Sequence, residues 1–263
     1  MRGRNNLNII INDLNINYSK NGNGEEVLLL LHGWGSNIVN FKHMIESTSR
    51  YNTVYALDMP GFGQSDEPKQ SWFVDDYVDL VIQFIQKMNI DKLSILGHSF
   101  GGRVIIKMIS RDLPFDIDKV VLVDSAGIKP KGNNKNSLKV KFFKCAKKIV
   151  SLGLVRKIFP DALEDLKKKF GSADYKNATP IMRETLVKTV NEDLTHLLPN
   201  ITQDTLLIWG DKDTATPISD AKQMEELIPN GKLITVKNAG HYSFLEQPYL
   251  VNKVIETFLK DKE

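Results

Sequence analysis

Five short apolar runs punctuate the chain: Val27–Leu31, Val54–Leu57, Leu93–Leu96, Val120–Val123 and Leu206–Trp209. A strand in a parallel sheet reads this way, because helices cover both of its faces and neither meets water. The start of the chain has a different pattern. Leu7 to Tyr18 alternates apolar and polar residues around Asn12-Asp13, which predicts an antiparallel hairpin at a sheet edge. Helical spacing fills most of the gaps between runs. From Trp72 to Met88, Phe73, Tyr77, Leu80, Val81, Phe84, Ile85 and Met88 share one face, while Asp75, Asp76, Asp79, Gln83 and Gln86 take the other. Helices are also predicted over Phe100–Ile109 and Ile218–Ile228, the latter opened by Pro217 as a favoured first helical residue. Leu233–Val236 reads as a last strand and Pro248–Leu259 as a closing helix. Strand and helix alternate with short connections, so the expected architecture is α/β: a doubly wound, mostly parallel sheet with helices on both faces.

One stretch breaks the alternation. From Gly127 to about Asn200 only helical patterns and polar loops occur. Leu138, Phe142, Phe143, Ala146, Ile149 and Val150 form an apolar stripe, with Lys139, Lys141, Lys144, Lys147 and Lys148 around it. The expected organisation is a core domain of residues 1–127 and 201–263, with a helical cap over 128–200. In open α/β sheets, ligands bind at the carboxyl ends of the strands, where such an insertion would sit.

Composition narrows the classes. The 263 residues are 41% hydrophobic and 25% charged, as in an ordinary globular protein. A single cysteine excludes a disulfide framework and any multi-cysteine metal site, and favours a reducing compartment. Cys145 lies beside the apolar stripe and reads as a small buried hydrophobe. The apolar runs are far shorter than the ~20 residues that span a bilayer. Asn5, Asn6, Asn8, Asn12 and Asp13 interrupt any secretory apolar segment, so the expected location is cytoplasmic with no membrane span. A formal net charge of +3 gives no reason to expect nucleic acid as a partner. No metal-ligand, phosphate-loop or dinucleotide fingerprint appears, so no cofactor or metal is implied.

The sharpest chemical signal is Gly97-His98-Ser99-Phe100-Gly101, set between a predicted strand and a predicted helix. That order suits a nucleophile elbow, in which the serine occupies a sharp, strained turn and glycines remove clashes between strand and helix. A serine hydroxyl needs a base, and the base needs an orienting acid. The order expected in such sheets is Ser, then Asp or Glu, then His. His196 and His241 lie downstream. His241 follows the last predicted strand, whereas His196 falls inside the insertion. Asp213 is the expected acid, with Asp211 and Asp124 as alternatives after their own strands. Acyl transfer also needs N–H donors for an oxyanion. The Phe100 N–H is one, and His32-Gly33-Trp34-Gly35 supplies the other, Trp34 before Gly33. The side chains of His32 and Trp34 are expected to shape that loop and the pocket. Trp34, Phe62, Phe100, Tyr242 and Phe244 are the expected substrate wall, suited to small apolar acyl groups.

Five blocks stand in order: His32-Gly33-Trp34-Gly35, Asp58-Met59-Pro60-Gly61-Phe62-Gly63-Gln64-Ser65-Asp66, Gly97-His98-Ser99-Phe100-Gly101-Gly102, Gly210-Asp211-Lys212-Asp213 and Gly240-His241. On these the chain resembles the α/β-hydrolase fold superfamily, in particular bacterial carboxylesterases with small helical caps. More distantly it resembles carbon–carbon bond hydrolases and the methyl esterase acting on pimeloyl-carrier-protein esters. The resemblance implies Ser99 as nucleophile, Asp213 as acid, His241 as base, a Phe100 and Trp34 oxyanion hole, and a helical cap after the sixth strand. Serine rather than aspartate at the elbow speaks against haloalkane dehalogenases and epoxide hydrolases. The expected activity is hydrolysis of small carboxylic esters through an acyl-enzyme. A non-catalytic ligand-binding protein on the same fold is the alternative of another class.

Charge is unevenly spread. Residues 128 to 170 carry 12 Lys and 1 Arg against 2 Asp and 1 Glu, an excess of ten positive charges in a chain of net +3. The remainder is therefore acidic. A solvated helix face explains this, and so does a surface that steers an anionic substrate or docks an acidic partner.

Overall fold

A computed structural model describes residues 6–129 and 177–261. Asn12 and Asp13 reverse the chain in two residues, both in left-handed backbone (φ 50° and 61°), so Ile11 pairs with Leu14. Asparagine and aspartate tolerate that region best among residues with a side chain. The turn joins β1 (Asn6–Ile11) to β2 (Leu14–Asn21). There follow β3 (Val27–Leu31), a 3₁₀ turn (Ile38–Phe41), α1 (Lys42–Thr48), β4 (Thr53–Leu57), α2 (Val74–Lys87), β5 (Lys92–His98), α3 (Phe100–Ile109) and β6 (Asp116–Val123). After the undescribed segment come α4 (Pro180–Val190), a second 3₁₀ turn (Thr195–Asn200), β7 (Asp204–Gly210), α5 (Ile218–Leu227), β8 (Gly231–Val236), the single turn α6 (Ser243–Glu246) and α7 (Pro248–Lys260).

The eight strands form one sheet in the order β1-β2-β4-β3-β5-β6-β7-β8. The first two pairings, β1 with β2 and β2 with β4, are antiparallel, and the rest are parallel. The expected mostly parallel, doubly wound sheet is what forms. Strands β4 to β8 begin one to four residues before the apolar runs. Their leading Thr53, Lys92, Asp116, Asp204 and Gly231 join the ladder at the less covered end, where an apolar pattern has nothing to report. Pro217 stands just before α5 as its cap, not as its first residue.

Alternation along each strand divides the core. Leu29, Leu31, Tyr55, Leu57, Ile95, Leu122, Leu207 and Trp209 face α2, α3 and α5. Leu28, Leu30, Val54, Ala56, Leu96, Val121, Val123 and Ile208 face α1, α6 and α7. Each such buried side chain contributes roughly 1.5–3 kcal/mol relative to exposure, which pins the register of the central strands. The carboxyl ends of β3, β5, β6, β7 and β8 therefore finish along one rim.

Of the expected cap, residues 177–200 are described, and most of them are helical, in α4 and the second 3₁₀ turn. α4 begins with the Thr179 hydroxyl accepting from Met182 N–H, and Pro180 opens the helix. Its buried side packs on the segment before α2: Trp72 N–H donates to Thr185 Oγ1 (3.0 Å), and Lys188 Nζ donates to Ser71 Oγ (2.6 Å). Beyond it, Lys107 of α3 pairs with both Asp75 and Glu192. The apolar stripe, its lysines, Cys145 and nearly all of the basic stretch lie outside the described residues.

Candidate active site

Ser99 sits between β5 and α3 with φ 49° and ψ −110°, a region that costs a non-glycine residue on the order of 1–3 kcal/mol. The surroundings hold it there. Ser99 N–H donates to the Val123 carbonyl (3.1 Å), and the Ser99 carbonyl accepts from Gly102 N–H (3.1 Å) and Ala126 N–H (2.9 Å). Close packing of helix on sheet makes Gly101 obligatory, since a β-carbon there would lie 2.1 Å from the Leu31 carbonyl oxygen. The turn thus presents a half-buried hydroxyl at the sheet's carboxyl rim.

Two loops from neighbouring strands meet that hydroxyl. His241, after β8, places Nε2 2.9 Å from Ser99 Oγ. Its Nδ1 lies 2.8 Å from Asp213 Oδ2, three residues past the end of β7. Nδ1 facing a carboxylate carries the ring proton, which leaves the Nε2 lone pair for the serine hydroxyl. The structure thus brings the three expected residues, 142 and 28 positions apart, into one hydrogen-bonded row. Asp213 is buried. Its Oδ1 accepts from the N–H groups of Ala215 and Thr216, and its Oδ2 from Thr216 Oγ1 (2.7 Å). Desolvation works to raise its pKa, but the hydrogen bonds from His241 and Thr216 outweigh it and hold the carboxyl below its ordinary value.

The alternatives are placed elsewhere. Asp211 is exposed in the loop from β7 to α5, with its N–H donating to the Val236 carbonyl (3.1 Å). His196 is exposed in the second 3₁₀ turn. Asp124 is fully buried, yet its oxygens accept from Gly210 N–H (2.8 Å), Ser243 N–H (3.0 Å) and Ser243 Oγ (2.6 Å), not from a histidine. Burial, helped by the Asp213 charge and opposed by the Ser243 and Gly210 hydrogen bonds, raises its pKa to about 7.

The His32–Gly35 loop packs directly on the elbow. A β-carbon at Gly33 would lie 3.2 Å from Ser99 Cβ. His32 is buried and bridges two backbone groups, donating from Nδ1 to the Gly33 carbonyl (2.7 Å) and accepting at Nε2 from Met59 N–H (2.9 Å). Burial lowers its pKa against the opposing Gly33 bond and Asp58 charge, so the ring is neutral. Its part is to shape the loop, as expected. The Phe100 N–H stands at the first position of α3, where a helix offers no partner four residues back.

Of the aromatic wall, Trp34 and Phe62 are half-buried and edge-on to each other (4.9 Å), and Trp34 is edge-on to Phe100 (5.3 Å). Phe100 is itself buried against Tyr77. Tyr242 is exposed beside His241. Phe244 departs from the expectation. Its ring is buried against Phe41 and His98 in the core below the sheet, because α6 turns it inward. Three residues beneath the site went unnoticed in the sequence: His98, Thr216 and Ser243. His98 is buried and donates from Nε2 to the His241 carbonyl (2.8 Å), and burial with the His241 charge lowers its pKa to about 3. The signal for Thr216 was available, since Asp213-Thr214-Ala215-Thr216-Pro217 is a side-chain-closed turn.

A family model described as the alpha/beta hydrolase fold matches residues 26–248. The chain belongs to the alpha/beta hydrolase family. It is 27% identical to the AB hydrolase superfamily protein YisY of Bacillus subtilis, over 90% of this chain and 92% of that one. It is also 27% identical to 2-hydroxy-6-oxononadienedioate/2-hydroxy-6-oxononatrienedioate hydrolase 1 of Pseudomonas putida, over 94% and 92%. The solved structure of a bacterial membrane phospholipase A superposes with a TM-score of 0.75 and 24% identity, over 98% of this hydrolase and 86% of that chain. Among the described residues, no group of three or more His, Cys, Asp or Glu is placed to hold a metal ion, and no helix is long and apolar enough to cross a membrane.

Proposed function

We propose that this hydrolase cleaves small carboxylic esters through an acyl-enzyme, with Ser99 as nucleophile, His241 as base and Asp213 as its orienting acid. The observation that carries the reading is the unbroken row from Ser99 Oγ through both nitrogens of His241 to Asp213 Oδ2. Ser99 Oγ attacks the ester carbonyl as its proton passes to His241 Nε2, and the carbonyl π pair moves onto oxygen. Asp213 stabilises the imidazolium that forms. The N–H groups of Phe100 and Trp34 would receive the oxyanion, and losing one such donor costs on the order of 3 kcal/mol. Collapse of the tetrahedral adduct expels the alkoxide, which takes the proton from His241. Water then attacks the acyl-enzyme with His241 again as base, releasing the acid and restoring Ser99.

Trp34, Phe62, Phe100 and Tyr242 form the proposed wall for the acyl group, with residues 128–200 as a cap over it. The basic stretch in that cap would steer anionic esters. Lowering kcat/KM by salt for an anionic ester, and not for a neutral one of equal size, would support the steering. The single cysteine favours a cytoplasmic protein. Labelling by a fluorophosphonate tests the main reading. Stoichiometric modification of wild type and none of Ser99→Ala is expected, whereas an unreactive Ser99 in folded protein favours a ligand-binding role. Esters of graded acyl length test the pocket, and higher kcat/KM on long chains than on acetyl or butyryl would overturn the small-pocket proposal. Carbon–carbon bond hydrolysis is the second reading, favoured by the Pseudomonas putida relative. Turnover of that relative's named substrate above any ester would establish it.

A further inference from the structure

Two separate loops carry the acid and the base, one after β7 and one after β8. Catalysis by a Ser–His–Asp row depends on holding them in a fixed relation, because a misplacement near 1 Å can cost about 100-fold in rate. Within the described residues, one side chain takes hydrogen bonds from both. Asp124, the first residue after β6, accepts Gly210 N–H on Oδ1 (2.8 Å), and Gly210 is the last residue of β7. Its Oδ2 accepts the N–H and the hydroxyl of Ser243 (3.0 and 2.6 Å), two residues beyond His241. Its main-chain carbonyl accepts from Thr216 Oγ1 (3.0 Å), the hydroxyl that also bonds Asp213 Oδ2 and lies 3.2 Å from His241 Nδ1. Asp124 itself is immobilised: fully buried, at φ 45°, with its N–H donating to the Ile208 carbonyl (2.9 Å).

We propose that Asp124 is a positioning residue for catalysis, a buried carboxylate clamp that locks the Asp213 loop to the His241 loop. The inference rests on the serine-hydrolase reading above. A buried carboxylate is costly unless its lone pairs are used, and here three donors from two catalytic loops use them. An apolar side chain at this point would fill the space but leave those donors unpaired, with the loops joined only by the bonds nearer their tips, such as Lys212 N–H to the Ala239 carbonyl (2.9 Å). Neither oxygen bonds the imidazole, so the clamp works through placement and not through proton transfer.

Asp124→Asn keeps the shape and one acceptor oxygen, and sets an NH₂ group among the donors. The expected result is a kcat lower by roughly 10- to 100-fold with KM within about twofold. Ser243→Ala removes one hydroxyl from the same link and should lower kcat by about 3- to 10-fold. Combined, the two should lose no more than Asp124→Asn alone, because they break one connection. Circular dichroism and a melting curve establish that each variant is folded, and Ser243→Ala serves if Asp124→Asn is not. Unchanged kcat in folded Asp124→Asn, a loss falling on KM, or losses that multiply in the double variant would each overturn the clamp. Ser99→Ala, run alongside, separates the two levels: if it keeps full ester hydrolysis the serine reading itself has failed, whereas failure of the clamp leaves Ser99 essential.

Discussion

Asp213 and Asp124 follow adjacent strands of one sheet, are both buried, and both accept hydrogen bonds from backbone and hydroxyl groups. Burial pushes both pKa values upward, yet the outcomes are opposite: Asp213 is held below the ordinary carboxylate value, while Asp124 rises to about 7. Their partners make the difference. Asp213 faces an imidazole that can take a proton, together with a hydroxyl and two N–H groups. Asp124 meets only neutral donors and lies near another carboxylate. Pairs of titratable groups pushed apart in this way mark out separate roles. Here one carboxylate is suited to stabilising a transient cation, and the other to gathering backbone.

The comparison is tested most severely at Asp213. Asp213→Asn should lower kcat by about 10⁴-fold, since an amide favours the wrong histidine tautomer. In the same assay Asp124→Asn should lose far less. Equal losses at the two positions would erase the distinction between orienting acid and clamp.

Stability against pH sharpens it further, because the two shifts have opposite signs. Asp124 has a raised folded pKa, so the native state binds its proton more tightly than the unfolded chain does. The stability that Asp124 contributes is therefore lost as pH rises from about 4 to about 7, and this loss is absent from Asp124→Asn. The melting temperature of Asp124→Asn relative to wild type should climb across that window. Asp213 has a lowered folded pKa, so its contribution is present above about pH 4 and disappears as pH falls through the folded value. The deficit of Asp213→Asn should accordingly shrink in acid. Thermal melts at pH 2.5, 4, 5.5 and 7 read both trends, and parallel slopes would show that the two environments are not distinct.

Thr216→Val should have a smaller effect. The hydroxyl shares its one proton between Asp213 Oδ2 and the Asp124 carbonyl, and its loss leaves buried acceptors short of a donor, worth about 1–3 kcal/mol of stability. A kcat lowered by several-fold with little change in KM is expected. Smallest of all is the effect of a chelator. EDTA should leave ester hydrolysis unchanged, and loss of activity that zinc restores would replace a serine mechanism with a metal one.

Much of the molecule was legible in one dimension. Continuous apolar runs marked the covered strands because both faces of Leu28–Leu31 or Val120–Val123 are buried. The elbow could be read because its glycines, strand and helix are consecutive, and His241 because it follows the last strand. Less visible were the helix α1 and the 3₁₀ turn before it, whose few apolar positions give too short a period. Phe244 was misread for a related reason: a sequence neighbour of His241 need not face the same space, and α6 turns it into the core.

Local pattern, then, determined the alternation of elements, the elbow and the candidate nucleophile and base, since each is written in residues close together along the chain. Among Asp124, Asp211 and Asp213 the sequence favoured Asp213 but did not exclude the other two. All three follow apolar strands, and the sequence alone does not show contact with an imidazole 28 residues from the nearest of them. Only the packing of β6, β7 and β8 side by side decides it. That packing aims Asp213 at His241, leaves Asp211 in water and buries Asp124 between the two loops, because hydrogen-bond partners are set by distance in space and not by separation in sequence.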